Sequence, residues 1–339
     1  MNSNIAVTGA SGHIGNVVCR ILFEKGYKVR AMYNSSRASL ENIDIEKVKG
    51  DILNIDDLNN FFDGCDVVIN CAAIISIHGD PTGKIFKTNT EGPKKVLEAC
   101  KLKGVKKLIH ISSVHAVMEF PLDTPLDENR PYKAKGSTPY DYSKAVAEQL
   151  LLEGSNDSSP EIIILRPSSV VGPFDFKPSE MGKALIDFYN NKIPAIPEGG
   201  YDFVDVRDVA ISIITAMEKG KHGEIYLLSG KFYTLNDLVK LVHKVTKKQM
   251  PGVVIPYFIL RLVLPCIRLY SKLTGGAPVF TRESIDILKY GHPKMDHSKA
   301  TAQLGHNVRS LEESLKDFYD WHFRYTHHLS YNKPLIQPV

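Results

Sequence analysis

Ile5-Ala6-Val7-Thr8-Gly9-Ala10-Ser11-Gly12-His13-Ile14-Gly15 decides how the rest of the chain is read. Ile5, Ala6 and Val7 form a short apolar run, the pattern of a buried strand. Gly9, Gly12 and Gly15 follow at intervals of three, and the apolar periodicity of Ile14 to Phe23 continues as a helix. A strand, a glycine turn and a helix in this order aim backbone N–H groups and the helix dipole at a pyrophosphate. Gly9 is expected to make the turn, Gly12 to admit the phosphates and Gly15 to let helix and strand pack closely. Ser11 adds a hydroxyl for a phosphate oxygen, and His13 and Ile14 bring the first helical N–H groups. Glycines alone are a weak signal, because a permissive turn uses the same residues.

The segments that follow keep the rhythm of strand and helix. Tyr27 to Tyr33, Val48 to Ile52, Asp66 to Ala73 and Lys106 to Ser113 read as four further strands, with a helix opening at Asn89. Such alternation predicts an α/β chain with a Rossmann-type doubly wound parallel sheet, whose ligands bind at the strand carboxyl ends. The second strand ends in Tyr33-Asn34-Ser35-Ser36-Arg37, with no carboxylate before Glu41. An acid there would bond the ribose hydroxyls of NAD, whereas Arg37 with Ser35 or Ser36 suits a 2′-phosphate, so NADP(H) is favoured over NAD(H). Asp51 is placed to accept the adenine amine with Ile52 over the ring, or else to make a turn or helix cap. The small Ala72 and Ala73 leave room for a nicotinamide ribose.

Tyr140 and Lys144 stand four residues apart at the start of a helical stretch, Tyr140 to Leu152, so they share one face. A phenol is a poor proton donor at neutral pH, and a neighbouring ammonium is expected to bring its pKa down. Ser113, at the end of the fifth strand, can polarise a substrate oxygen; Ser112 is the adjacent alternative. Ser113, Tyr140 and Lys144, together with T-G-A-S-G-H-I-G, resemble the catalytic set of the short-chain dehydrogenase/reductases. The chain is similar to the extended branch of that superfamily, the NAD-dependent epimerase/dehydratase family, over about residues 3 to 320. Leu165-Arg166-Pro167-Ser168-Ser169-Val170-Val171-Gly172-Pro173 resembles the branch's strand after the catalytic helix, which implies that Pro167, Ser169 and Val170 line the nicotinamide. Asp202 to Ala210 resembles its later F-V-x-V-x-D-V-A segment.

Within the branch, sugar-nucleotide enzymes carry R-Y-F-N-V-Y-G-P where this chain has R-P-S-S-V-V-G-P, with Ser169 at the Asn position. The chain looks more like the dihydroflavonol-4-reductase and 3β-hydroxysteroid-dehydrogenase-like group. That resemblance implies an oxidoreductase that reduces an aldehyde or ketone on a fairly apolar small molecule, or oxidises the corresponding alcohol. Two alternatives stay open: a sugar-nucleotide epimerase or dehydratase, and a non-catalytic NADP(H)-binding sensor. The resemblance is compatible with a homodimer built on the helices flanking the sheet.

The remaining features bound the reading. The 339 residues suffice for a dinucleotide-binding domain over 1–175, with segments returning around 200–230, a smaller C-terminal substrate lobe over 176–330 and a tail over 331–339. Pro194 to Gly200 reads as a loop covering the site, and helices are expected over 211–217, 236–245, 281–288 and 311–323. Phe174, Tyr201 and Phe203 are expected as apolar pocket walls, and Trp321 as packing. A net charge of +4, spread over this length, gives no reason to expect nucleic acid or an anionic membrane. Five cysteines without a C-x-x-C pair read as a reducing compartment with no disulfide framework. The early first strand leaves no room for a signal peptide, so a cytoplasmic protein is expected. Val253 to Leu264 is strongly apolar but is interrupted by Pro256 and Arg261, with Pro265 following; it is too short to span a bilayer and is expected as a helix packed on the substrate pocket, with peripheral membrane contact as the less favoured alternative. His13, His78, His110 and His115 are read as loop or core residues, and no His cluster has metal-ligand spacing.

Overall fold

A computed structural model of the chain describes residues 3–76, 79–155, 160–249, 251–274 and 282–331 together with 333 and 335; the side chains of 266–274, 282–284 and 287 lie outside the described set. His78, Thr281, most of the tail and the Cys266, Arg268 and Lys272 side chains are therefore outside it.

The first half of the chain runs β1 (Asn4–Thr8), α1 (His13–Glu24), β2 (Lys28–Tyr33), β3 (Glu46–Lys49), α2 (Ile55–Phe62), β4 (Val67–Asn70), α3 (Lys84–Lys103), β5 (Lys107–Ile111), α4 (Pro139–Glu153) and β6 (Glu161–Pro167). The second half runs β7 (Ser169–Val171), α5 (Glu180–Tyr189), β8 (Ala195–Pro197), β9 (Gly200–Asp205), α6 (Val206–Lys219), β10 (Ile225–Leu228), β11 (Lys231–Thr234), α7 (Leu235–Thr246), β12 (Val253–Ile255), α8 (Tyr257–Thr274), α9 (Arg282–Lys289), α10 (Ser298–Leu304) and α11 (Leu311–Thr326).

Seven parallel strands form the main sheet in the order β10-β6-β5-β4-β1-β2-β3. Its side chains alternate between two cores. Ile5, Val7, Ile69, Ile109, Ile163 and Leu165 pack with Val17, Val18 and Ile21 of α1 and with Val209 and Ile213 of α6. Ala6, Val68, Leu108, Ile162 and Ile164 face the opposite way, toward Leu58 and Phe61 of α2, Val96 and Cys100 of α3 and Leu151 of α4. Both faces are covered, which is why these strands read as unbroken apolar runs with no polar side. Successive strands reverse direction of build at β1, the switch point where a doubly wound sheet opens its ligand crevice.

β7 leaves that sheet at its carboxyl edge and pairs with β9, which pairs antiparallel with β11. Helices α5, α7 and α11 cover this small sheet, each started by a Ser or Thr whose hydroxyl accepts an N–H of the first turn: Ser179, Thr234 and Ser310. A pair of three-residue strands, β8 and β12, holds α8 and α9 against it. Ala195–Pro197 is therefore a strand and not loop, because Val253–Ile255 offers it a parallel partner that no local pattern discloses. The same pairing removes the first three residues of the expected 253–264 helix, which starts only at Tyr257. The segment expected as a tail is anchored: Tyr331 meets Phe174 edge-on, Leu335 is buried, and the Lys333 ammonium reaches Asp317 at 2.5 Å.

Candidate active site

The glycine turn is confirmed by what surrounds it. Gly9 has a φ of +62°, and a Cβ there would fall 2.6 Å from the Ala72 nitrogen, just past β4. A Cβ on Gly15 would fall 2.3 Å from the Gly9 carbonyl oxygen, so α1 can approach β1 only through glycine. Gly12 is exposed and stands at the N-cap of α1 with no side-chain cap and no acid in the first turn. The amides of this end are free of carboxylate competition, and the cradle fits a dinucleotide pyrophosphate. His13 Nε2 lies 3.0 Å from the Pro173 carbonyl, which ties the turn to the chain beyond β7. Ser39 donates to the Ser11 carbonyl at 3.1 Å and Arg20 donates to the Ser39 carbonyl at 2.8 Å, so the stretch carrying the exposed Arg37 is fastened to the turn.

Asp51 lies beyond β3, which ends at Lys49, and not on the strand. Its carboxylate is used locally, accepting from Leu53 N–H at 2.9 Å, while its own N–H donates to Asp57. The turn-making role weighed in the sequence is the one the geometry displays, although the carboxylate remains exposed. Ile52 is buried, its tip against Gly92 of α3. Ala72 is partly exposed and Ala73 exposed, both past the end of β4 at Asn70.

Thr138 accepts the Asp141 N–H and Pro139 occupies the first helical position, a combination that fixes the start of α4. Tyr140 and Lys144 then lie one turn apart, above the end of β5. The Ser113 hydroxyl lies close enough to the Tyr140 phenol to act on its acidity, and the Ser113 oxygen accepts from His115 N–H at 3.1 Å. Ser112, by contrast, is buried with an unpartnered hydroxyl. Lys144 donates to the Ile111 carbonyl at 2.8 Å. The structure thus brings Ser113, Tyr140 and Lys144 to the carboxyl edge of β5, in the crevice next to the glycine turn.

The electrostatics differ from expectation. Burial pushes the Tyr140 phenol up to about 12; the neighbouring Ser113 hydroxyl opposes the shift and the Asp141 carboxylate adds to it. Lys144 does not act on the phenol here, since its ammonium is turned to Ile111. Burial lowers Lys144 to about 8, against the pull of the Glu148 carboxylate and of Cys71. In this arrangement the phenol is firmly protonated, the state required of a proton donor.

Pro167 ends β6, and Ser169 and Val170 open β7, where both are partly exposed at the same edge. Tyr201 and Phe203 lie on β9 with their rings 5.9 Å apart. Phe203 is buried in the core and Tyr201 is only partly covered, so Tyr201 is the more available wall. Phe174 departs from the pocket role. Its φ of +70° turns the ring into a cluster with Arg20, Phe176, Trp321 and Tyr331, where it is used for packing. Trp321 is packing, as expected.

Three residues escape the sequence reading. Asn89 clasps Ile74 through both backbone groups and donates to Ser143 on α4 at 3.0 Å. Glu148 extends the Tyr140–Lys144 face by one more turn and meets Arg166 in a buried ion pair at 2.6 Å. The i, i+4, i+8 spacing of Tyr140, Lys144 and Glu148 was the signal for it. Asn70 bonds Thr8 at 2.6 Å and His110 at 3.0 Å, a polar row across the ends of β1, β4 and β5. Burial and Lys144 hold His110 well below its ordinary pKa, so it is a neutral core histidine. Among the described residues, no group of three His, Cys, Asp or Glu could hold a metal ion.

Residues 5–229 match the model of the NAD dependent epimerase/dehydratase family. The chain belongs to that family. It is the extended branch of the short-chain dehydrogenase/reductases, whose members bind NAD(P) and act as oxidoreductases or epimerases. The chain is 29% identical over 323 residues to sterol demethylase protein B of Methylococcus capsulatus, covering 93% of this chain and 97% of that one. It is 30% identical over 328 residues to a putative dihydroflavonol 4-reductase of Synechocystis, covering 93% of each. Among solved structures, gox2253 superposes with a TM-score of 0.83 at 30% identity, over 97% of this chain and 100% of that one.

Proposed function

We propose that the protein is an NADP(H)-dependent reductase of a carbonyl group on a fairly apolar small molecule. The observation that carries this reading is the gathering of Ser113, Tyr140 and Lys144 at the end of β5, on the sheet edge that also holds the glycine cradle. The resemblance to proteins named as reductases supports it. Gly9 to Gly15 would hold the pyrophosphate, Arg37 with Ser35 or Ser36 the 2′-phosphate, and Asp51 with Ile52 the adenine. Ala72, Ala73, Pro167, Ser169 and Val170 would flank the nicotinamide and its ribose.

The reduced dinucleotide supplies the hydride when bound. Ser113 holds the substrate carbonyl oxygen, Tyr140 donates its phenolic proton to that oxygen, and Lys144 holds the ribose and offsets the charge left on the phenol. Solvent then returns a proton to Tyr140. A phenol raised by burial is a weak acid at rest, so the mechanism requires Lys144 to swing from Ile111 toward the phenol as the site fills.

The test is NADPH consumption with a panel of aldehydes and ketones. Tyr140→Phe is expected to lower kcat by about a thousandfold while leaving NADPH binding intact. Arg37→Glu is expected to reduce the preference for NADPH over NADH by at least about tenfold. A fully active Tyr140→Phe, or tightly retained NAD⁺ with epimerisation of a nucleotide sugar and no net NADPH oxidation, overturns the proposal.

A further inference from the structure

The segment β12–α8 carries an apolar surface that the active-site reading does not use. Among the described residues, thirteen large apolar side chains are exposed, and six of them fall within residues 253–263. Phe258 (65% exposed), Ile259, Leu262 (74%) and Val263 stand at i, i+1, i+4 and i+5 of one helix, and Val253 and Val254 adjoin them on β12. Side chains at those spacings share one face. Leu260 and Leu264 are buried on the other, against Ile285, Ile255 and Tyr257. The helix is therefore two-sided, with its outer side as apolar as its inner one.

Charge identifies what the outer side meets. Residues 253–274 contain Arg261, Arg268 and Lys272 and no Asp or Glu. Arg261 is exposed, and the Lys289 ammonium lies 3.8 Å from the Tyr257 ring centroid at the start of the helix. The two acids beside this end are engaged: Glu198 accepts from Tyr257 N–H at 3.2 Å, and Asp286 accepts from the Tyr257 hydroxyl at 2.6 Å. No helix among the described residues is long and apolar enough to cross a membrane, and Pro265 lies inside this one. An exposed apolar helix face, a basic span and insufficient length to cross describe a helix that lies in the plane of an interface. We propose that α8, with β12, docks the protein on an anionic lipid surface, Phe258 and Leu262 entering the acyl boundary and the basic residues meeting the headgroups. Peripheral membrane contact, the less favoured reading of this run in the sequence, is thereby preferred.

Flotation of the full chain with vesicles tests it. Wild type is expected to float with phosphatidylcholine vesicles containing about 30 mol% phosphatidylglycerol, and to bind pure phosphatidylcholine about tenfold more weakly. Phe258→Glu/Leu262→Glu is expected to stay unbound, with unchanged thermal midpoint and unchanged NADPH binding. Arg261→Glu leaves the apolar face intact and is expected to weaken binding to the anionic vesicles by about fivefold or more. Wild type that fails to float, floats equally with both vesicles, or floats undiminished after Arg261→Glu overturns the proposal. So does a wild-type dimer that ignores vesicles and becomes a monomer in the double variant, which would make this face a contact between copies.

Discussion

The carboxyl edge of the parallel sheet and the segments 253–274 and 282–289 are held by different physics. At the sheet edge, Thr8, Asn70 and His110 bond across three strands, and Arg166 and Glu148 pair out of water behind Tyr140 and Lys144. That edge is backed by two apolar cores, one on each face of the sheet. The 253–289 segment has a core of its own made of Leu260, Leu264 and Ile285, with Ile255 and Tyr257 at its margin. Its attachment is a three-residue strand pair, a few polar bonds and Leu288, which packs into the main core. The contrast sets the residues gathered at the sheet edge on strongly held strands, and places residues 253–264 on an element with less buried packing behind it.

The buried pair behind the catalytic helix gives the largest test of that rigidity. Both partners are almost wholly covered, and Arg166 also donates to the Glu128 carbonyl and stacks over Tyr132. Glu148→Ala leaves the guanidinium in the core without its carboxylate, a loss of about 3–5 kcal/mol in denaturant unfolding. A cost near zero would mean that water reaches Arg166, and the sheet edge would then be as loose as the 253–289 segment.

Lys144 supplies the next test, through pH. Its folded pKa, about 8, lies below the unfolded value near 10.4, so between those two pH values the unfolded chain binds the extra proton. Stability due to this group therefore rises with pH across that window, by up to about 3 kcal/mol in total, and below pH 8 its burial as an ammonium is a constant cost. Buried thiols and phenols titrate in the opposite sense, so the quantity to measure is wild type minus Lys144→Met, by denaturant unfolding from pH 7 to 10.5. A flat difference would show that the ammonium is solvated and the pocket wet. The same titration predicts that carbonyl reduction declines as pH rises through about 8, because Lys144 loses its charge.

How much of this was legible follows the same boundary. The main sheet could be read because a strand buried on both faces leaves a continuous apolar run, and because Gly9 and Gly15 sit where a Cβ would strike backbone. Ser113, Tyr140 and Lys144 were legible because a helix face and a strand end both follow from local spacing. The C-terminal lobe was not. β8 exists only because β12, more than fifty residues later, lies beside it, and Phe174 faces the core only because its φ is positive. The strand ends were also read too long, since Ile52 beyond β3 and Ala72 and Ala73 beyond β4 stay apolar or small in sequence after the ladder has ended. Asn89 and Ser39 act through contacts distant in sequence, for which spacing carries no signal.

The smallest effect is the one that separates the two regions most cleanly. Leu108 on β5 and Leu260 on α8 are both buried leucines, at 0% and 1% exposure. Leu108→Ala removes packing from the core that joins β5 to α2, α3 and α4, and is expected to lower global stability by about 2–5 kcal/mol. Leu260→Ala removes one of three buried residues from the satellite core, which opens without unfolding the sheet. Its global cost is expected below about 1 kcal/mol, with amide exchange accelerated across 253–264 and unchanged in β1, β4 and β5. Hydrogen exchange with mass spectrometry reads both regions in one experiment. If Leu260→Ala lowers the global midpoint as far as Leu108→Ala does, the two regions unfold as one unit, and α8 has no local stability of its own.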